Sequence, residues 1–269
     1  MDDPTLADLE HENFVAAGMA IAAGVPGSLV RLDGGIALIA TGLPIRFFNQ
    51  VVVVAPSPDG GALRAAVDAM RERDSRFVVL LRRGIDSALV PDMATLGLVG
   101  SGGSGPMPGM ALHPIPDGSP TVSGPEDHEI RLVADLAGLV DHRRTAAAGF
   151  GMSDALMAMT IHDGLLERAD CAIYVGYSDG APVTTGLALR TGRTIGVYNI
   201  ATIEAARRRG LGSVMTARIT ADGRANGCDV AILQASDMGL SVYERLGYRT
   251  VVEYDSYVEP DGEPSTEPT

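Results

Sequence analysis

The chain has 269 residues, 46% of them hydrophobic, and a formal net charge of −13, which indicates a globular protein of one large or two smaller domains. All 21 basic residues are arginines, which excludes a Walker A phosphate loop, an ordinary protein kinase and a pyridoxal enzyme, since each needs a lysine. The pI near 4.7 argues against a general nucleic-acid-binding protein, whose footprint is a basic face.

The first half of the chain is predicted to alternate helices with β-rich segments. One helix is indicated by apolar residues at the i, i+3, i+4, i+7 spacing, from Leu63 to Met70. The expected elements are, in order, a helix over 4–22, strands over 29–32, 36–40 and 47–54, the helix around 63–70, a strand over 77–81 and a short helix ending near Leu96.

The second half is predicted to repeat this alternation more fully. Asp179-Gly180 is a hairpin signal between two of its strands. The expected elements are helices over 135–148 and 153–163, strands over 171–177, 183–190 and 194–200, a helix from Leu211, a strand over 229–234, a helix over 238–246 and a strand over 249–257. Strand–helix–strand therefore occurs in the same order over 51–81 and 195–234, which predicts a pseudo-repeat.

The stretch from about Gly100 to Pro125 is rich in Gly, Pro and Ser and is interpreted as a linker between the halves. Gly100, Gly102 and Gly105 satisfy G-x-G-x-x-G, but Pro106 and Pro108 follow at once, so we do not expect the helix that a dinucleotide fingerprint requires.

The localisation expected from the sequence is cytoplasmic. The N-terminal residues MDDPTLADLEHE are acidic, unlike a signal peptide, and no apolar run is long enough to cross a bilayer. The two cysteines, Cys171 and Cys228, are interpreted as reduced thiols.

The motif Arg207-Arg208-Arg209-Gly210-Leu211-Gly212 follows a predicted strand and begins a predicted helix. Unpaired amides and the dipole at a helix start attract anions, and the two glycines let a ligand approach the backbone. A solvated charge run would account for the arginines, but it would not account for glycines at this boundary. The motif therefore predicts a phosphate or pyrophosphate site.

This motif resembles the Q/R-x-x-G-x-G/A signature of the GNAT superfamily of acyl-CoA-dependent N-acetyltransferases. A second segment, SDMGLSVYERLGY at 236–248, is similar to the family pattern N-x-x-A-x-x-x-Y-x-x-x-G-F, with Ser236, Gly239 and Tyr248 departing from it. The resemblance covers roughly residues 128–257. It implies an α/β fold with a mixed sheet. The first half is similar to a degenerate copy, with Leu96-Gly97 and Pro108-Gly109-Met110 where the terminal strands of the fold would lie, and its strand–helix junction, APSPDGGA, lacks arginine.

On this resemblance we expect three parts: a degenerate GNAT-like domain over 1–117, a catalytic N-acetyltransferase domain over 118–258 and a disordered acidic tail over 259–269. The family's mechanism implies that acetyl-CoA is the cosubstrate, without a metal, and that an amine attacks its carbonyl directly in a ternary complex. The residues that would bind the cofactor are Ile200, Ala201 and Thr202 for the pantetheine arm, the amides of Arg208, Arg209, Gly210, Leu211, Gly212 and Ser213 for the pyrophosphate, and in addition Arg207 and Ser236.

The resemblance also implies that Tyr243 is the general acid that protonates the leaving thiolate, although its spacing alone fits a half-buried core tyrosine. The general base is left open, with Glu204 a weak candidate, and no role is assigned to His128, His142 or His162. Residues 149–152, Gly-Phe-Gly-Met, either line the acceptor pocket or form a plain helix–helix turn.

Partners and alternatives follow from the same reading. The acceptor is expected to be a small-molecule or peptide amine, with no nucleic acid or membrane partner, and a homodimer is the default assembly. A non-catalytic acyl-CoA-binding or sensing protein remains an alternative. An RNA-binding arginine patch is disfavoured because aromatic residues make up 4% of the chain.

Overall fold

The computed structural model describes residues 1–102, 105–117, 122 and 124–260, and the chain divides into two compact units. The strands are β1 (Leu29–Asp33), β2 (Ile36–Ala40), β3 (Asn49–Val53), β4 (Val78–Arg82), β5 (Val99–Gly100), β6 (Met107–Leu112), β7 (His128–Leu132), β8 (Cys171–Ser178), β9 (Ala181–Thr191), β10 (Thr194–Thr202), β11 (Val230–Gln234) and β12 (Arg249–Val258). The helices are α1 (Asp3–Ala22), α2 (Gly60–Glu72), α3 (Val90–Thr95), α4 (Leu136–Phe150), α5 (Asp154–Thr160), α6 (Leu211–Ala225) and α7 (Leu240–Arg245).

The larger unit comprises residues 1–26 and 108–252. Its sheet has the strand order β7-β8-β9-β10-β11-β6, in which neighbouring strands are antiparallel except for the parallel pair β10 and β11. The helix α6 connects the two parallel strands, as a parallel connection requires.

The two faces of this sheet are covered by different helices. On one face, Met215 and Ile219 of α6 pack against Tyr174 of β8 and Ala188 of β9. The other face packs against α1, α4 and α5, whose buried members include Ala17, Leu139 and Met157. Alternate residues along β8 and β9 point to opposite faces, so that each strand contributes to both cores.

The smaller unit comprises residues 27–107 and the residues from Glu253 onward. Strands β1, β2 and β3 are antiparallel, β3 and β4 are parallel with α2 between them, and residues 254–257 of β12 pair antiparallel with residues 79–82 of β4. One apolar core includes Val51, Leu63 and Val79.

The predicted repeat is present: β3–α2–β4 and β10–α6–β11 are the same strand–helix–strand crossover with a parallel pair. In each unit the strand beside this crossover comes from the other half of the sequence. Strand β6 pairs with β11, and the end of β12 pairs with β4. The compact units therefore differ from the sequence division at residue 117, because α1 and residues 108–117 fold with the larger unit.

The predicted linker over 100–125 requires correction, because it contains the buried strand β6. Its Pro and Gly suggest a loop, but residues 109–112 are paired along β11 and lie in the core. The edge strand β7 was also not predicted. The short strand β5 ends at Gly100, the first glycine of the G-x-G-x-x-G stretch. The next element is the strand β6, and among the described residues no helix begins in this stretch, as expected from the prolines.

Most of the predicted acidic tail, residues 261–269, lies outside the described residues, and Glu259 at its start forms an ion pair with Arg71 at 2.8 Å. Within the described part of the chain, no helix is both long and apolar enough to cross a membrane.

Candidate active site

A cleft opens in the larger unit where β10 and β11 stop pairing. The recorded pairs run from Thr194–Val230 to Gly196–Ile232, so both strands continue beyond the last pair. The cleft has a volume of about 540 Å³. It is lined by Ile200, Thr202, Ala206, Arg207, Arg208, Gly210, Leu211, Gly212, Ser213, Ser236, Met238, Gly239, Val242, Tyr243 and Arg245.

The wall formed by β10 is held by its other neighbour, β9. The register of these two strands shifts between Tyr198 and Ala201, and Asn199 adopts a left-handed conformation with φ of 51°. The hydroxyl of Thr185 donates to the carbonyl of Asn199 at 2.9 Å, and that of Thr184 to the carbonyl of Ala201 at 2.7 Å. These bonds fix an irregular strand segment along the cleft.

The amides at the start of α6 form the floor of the cleft. Gly210 is the residue before the helix, has φ of 78°, and has no side chain that could accept from the first turn. An added Cβ at Gly210 would have no heavy atom within 4 Å, so this approach is open. By contrast, α1, α2, α4 and α5 each begin with a side-chain cap. The first-turn amides of α6 are therefore available to an anion.

The three consecutive arginines have different environments. Arg207 donates to the carbonyls of Thr202 at 3.2 Å and Gly149 at 2.8 Å, while Arg209 contacts both carboxylate oxygens of Asp127 at 3.1 Å. Arg208 lines the cleft in a left-handed conformation, with φ of 62°. Among the described residues it has no ion pair, so its charge is available to a ligand.

Tyr243 lies on α7 at the edge of the cleft. Its ring packs edge-on against Tyr248 with 6.3 Å between centroids, and an added Cβ at Gly239 would lie 2.8 Å from the Tyr243 ring. A glycine at 239, where the family pattern has alanine, thus leaves room for this ring position. Burial raises the pKa of the Tyr243 phenol above its usual value of 10.0, so the hydroxyl is protonated at neutral pH.

Most of the sequence-derived binding residues lie together in this cleft, with two exceptions. Ala201 is buried in the core on the face that packs against α1, α4 and α5, and Arg209 points to Asp127 outside the lining. Five lining residues were missed: Ala206, Met238, Gly239, Val242 and Arg245. The spacing of the second motif could have indicated the last four, since they surround Tyr243 on the same short segment.

The candidate base Glu204 is exposed and is not part of the cleft lining. His142 is fully buried, with Nδ1 at 3.0 Å from the carbonyl of Tyr174, and burial lowers its pKa to about 4. Gly149 packs against β10, where an added Cβ would lie 2.8 Å from Cβ of Ala201, and the next residue, Phe150, is 44% exposed. No group of three or more potential metal ligands occurs among the described residues.

In the smaller unit, the corresponding helix α2 is capped at its start by a side chain of the protein. Asp59 precedes α2, and its Oδ1 accepts the amide of Gly61 at 2.9 Å. A carboxylate therefore already takes the place that an anionic ligand would need at this helix.

The sequence was compared with known families, and residues 127–238 match the family described as "Acetyltransferase (GNAT) domain". This region includes the arginine–glycine motif and ends within the Ser236–Tyr248 segment. No curated protein matches the chain.

Solved structures with similar folds extend over nearly the whole chain. A GCN5-related N-acetyltransferase from Kribbella flavida has 19% identity and a TM-score of 0.69, with 94% of this chain and 96% of that chain covered. A GCN5-related N-acetyltransferase from Sphaerobacter thermophilus has 15% identity and a TM-score of 0.61, covering 98% and 95%. A tandem GNAT protein from the clavulanic acid biosynthesis pathway has 15% identity and a TM-score of 0.60, covering 97% of each chain. The mixed-sheet fold predicted from the sequence is thereby confirmed.

Proposed function

We propose that this chain, whose residues 127–238 match the GNAT acetyltransferase domain, transfers an acetyl group from acetyl-CoA to a primary amine. The observation that supports the proposal most is the cleft at the start of α6, where uncapped amides, two glycines and Arg208 meet.

Two parts of the cleft would bind two parts of coenzyme A, the pyrophosphate and the pantetheine arm. The amides of residues 208–213 and the Arg208 guanidinium would bind the pyrophosphate, since both favour an anion. The stretch 200–202 lies beyond the last residue that pairs with β11, so its backbone edge would bind the pantetheine arm as a neighbouring strand does.

The proposed reaction is a direct transfer. The amine nitrogen forms a bond to the thioester carbonyl carbon, the carbon–sulfur bond breaks, and the amine gives one proton to solvent water. The leaving thiolate takes a proton from the hydroxyl of Tyr243, which burial keeps protonated, and solvent returns a proton to Tyr243 after the thiol has left. Much of the rate enhancement would come from holding both substrates in one cleft.

The acceptor belongs to a class of primary amines that includes aminoglycosides, polyamines, amino acids and protein N-termini. We propose the cytoplasm as the setting, because the free thiols of Cys171 and Cys228 persist in a reducing compartment.

The test is thiol release from acetyl-CoA in the presence of a panel of these amines, with mass spectrometry of the products. Amine-dependent thiol release together with an acetylated amine is the expected result. Tight CoA binding without turnover of any amine would instead favour a sensing protein, and salt-sensitive polyanion binding that CoA does not displace would favour an RNA-binding patch.

A further inference from the structure

The helix α1 buries polar side chains against the sheet of the larger unit. Glu10 and Asn13 are both fully buried, on a helix whose neighbouring buried residues are mainly apolar. Asn13 accepts the hydroxyl of Tyr198 at 2.6 Å and donates to the carbonyl of Leu189 at 3.0 Å. Burying a polar group is costly unless it is hydrogen-bonded, so these side chains constrain what they contact.

Glu10 contacts the last residue of β11. Its Oε1 accepts from Nε2 of Gln234 at 2.6 Å, although 224 residues separate the two in sequence. Gln234 is in register with Gly109 of β6, and an added Cβ at Gly109 would lie 2.5 Å from Oε1 of Glu10. The absence of a side chain at Gly109 therefore leaves room for the Glu10 carboxylate beside Gln234.

This pair lies where the cleft begins. Strands β10 and β11 pair last at Gly196 and Ile232, so Tyr198 and Gln234 are each two residues beyond the last pair. Both are partly exposed, and both are bonded to α1. Gln234 therefore lies beside the point where β10 and β11 separate, on the face of the sheet that packs against α1 and not on the face that packs against α6.

A reaction with two substrates requires that the acceptor and acetyl-CoA approach the gap between β10 and β11 from different directions. The cleft proposed for acetyl-CoA is lined by the start of α6 and by α7, so the acceptor must approach its carbonyl from another direction. The partly exposed side chain of Gln234 lies on the other face of the sheet, the face on which α1 packs. An amine that arrives there meets the carboxamide of Gln234.

Resting on the proposed function, we infer that Glu10 is a positioning residue that orients Gln234 so that its Oε1 accepts an N–H of the attacking amine. Because Nε2 of Gln234 donates to Glu10, Oε1 of Gln234 faces away from Glu10. No donor to Oε1 occurs among the described protein groups. The bond to Glu10 also polarises the amide and makes Oε1 a stronger acceptor.

This arrangement fits the chemistry of a primary amine. Such a nitrogen can donate one N–H to Gln234 while its lone pair points at the thioester carbon. Gln234 would therefore contact the substrate directly, whereas Glu10 would act only through it.

The experiment is a double-mutant cycle with Glu10→Gln, Gln234→Met and the combined variant, assayed at saturating acetyl-CoA with the best of spermidine, kanamycin and glycine as acceptor. Glu12→Gln is the matched control, because Glu12 is exposed on the same helix. Each single variant is expected to raise KM for the amine roughly 10-fold, the effect of one lost hydrogen bond, with a smaller change in kcat. The combined variant is expected to be no worse than Gln234→Met, and Glu12→Gln to match the wild type.

Affinity for CoA, measured by calorimetry, is expected to stay unchanged in all variants, because neither residue lines the CoA cleft. A KM for Gln234→Met within twofold of wild type overturns the inference, as do losses that add in the combined variant. If Glu10→Gln fails to fold, Gln234→Met decides alone, since its side chain is partly exposed. Wild-type protein that binds CoA but acetylates none of the amines contradicts the proposed function itself, and the inference falls with it.

Discussion

The guanidinium of Arg207 donates to the carbonyl of Gly149 at 2.8 Å and so ties the loop before α6 to the end of α4. Arg209 pairs with Asp127, so the consecutive arginines have different roles. Two arginines hold the loop in place, and Arg208 is the one of the three that lines the cleft with a side chain that makes no hydrogen bond or ion pair within the described residues.

Replacing Arg208 is therefore expected to weaken CoA binding more than replacing Arg209. Arg208→Ala should raise the Kd for CoA roughly 10-fold, as expected for the loss of a charge-assisted hydrogen bond. Arg209→Ala is the matched control, because it removes the same charge from a side chain that pairs with Asp127 outside the cleft lining, and it should change Kd less than threefold. Equal effects of the two variants in titration calorimetry would mean that the run acts only through its summed charge.

Gly210→Asp is expected to abolish CoA binding. The new carboxylate would stand at the start of α6, where it would take the amides as Asp59 does at α2 and repel the pyrophosphate. Gly210→Ala shares the left-handed strain at φ of 78°, about 1 kcal/mol, but adds no charge. It should therefore keep CoA affinity within a few-fold, and an unchanged Kd for the Asp variant would remove the pyrophosphate site from this helix.

Tyr243→Phe is expected to lower kcat roughly 100-fold and to leave the Kd for CoA within twofold, since only the acidic proton is lost. Tyr248→Phe is the control, because its hydroxyl bonds Thr220 at 2.7 Å in the core and should affect stability instead. Burial raises the pKa of Tyr243 above 10.0, so this group should cause no alkaline fall in kcat below about pH 10. Full turnover by Tyr243→Phe would exclude it as the acid.

His142 is expected to make the larger unit sensitive to acid. Its pKa falls from 6.5 to about 4 on folding because burial disfavours the imidazolium. Between these values the unfolded chain binds the proton and the folded chain does not, so stability is lost as pH falls through this window, by about 3 kcal/mol. His142→Gln keeps a donor for the Tyr174 carbonyl but does not titrate.

Urea unfolding of both proteins at pH 7 and at pH 4 measures this contribution. The wild type should lose about 3 kcal/mol more of its unfolding free energy than His142→Gln over this interval. An identical pH dependence of the two proteins would show that folding does not lower the pKa of His142.

Local sequence patterns predicted the strand–helix–strand crossovers well, because their periodicity and turn residues agree with the final packing. Composition failed at β6, where Pro108 and Gly109 indicate a loop although the strand is buried beside β11, and only the family resemblance indicated a strand near residues 108–110. That pairing joins segments more than 100 residues apart, and no local pattern records it.

Most of the residues that the sequence motifs named line one cleft, since residues 200–213 and 236–245 are two short continuous segments. Glu10 could not be found in this way. Its partner Gln234 is 224 residues away, and only the folded chain brings them together. The predicted catalytic and binding roles of the individual residues, and the assignment of the first half as degenerate, stay predictions.

The most direct test of the account is a crystal structure of the protein with CoA. One CoA per chain is expected, with its pyrophosphate on the amides of residues 208–213 and its pantetheine arm along 200–202. No CoA is expected near residues 54–63, because Asp59 already caps α2. A second CoA at that helix, or a cleft at α6 that stays without CoA at saturating concentration, would contradict the account.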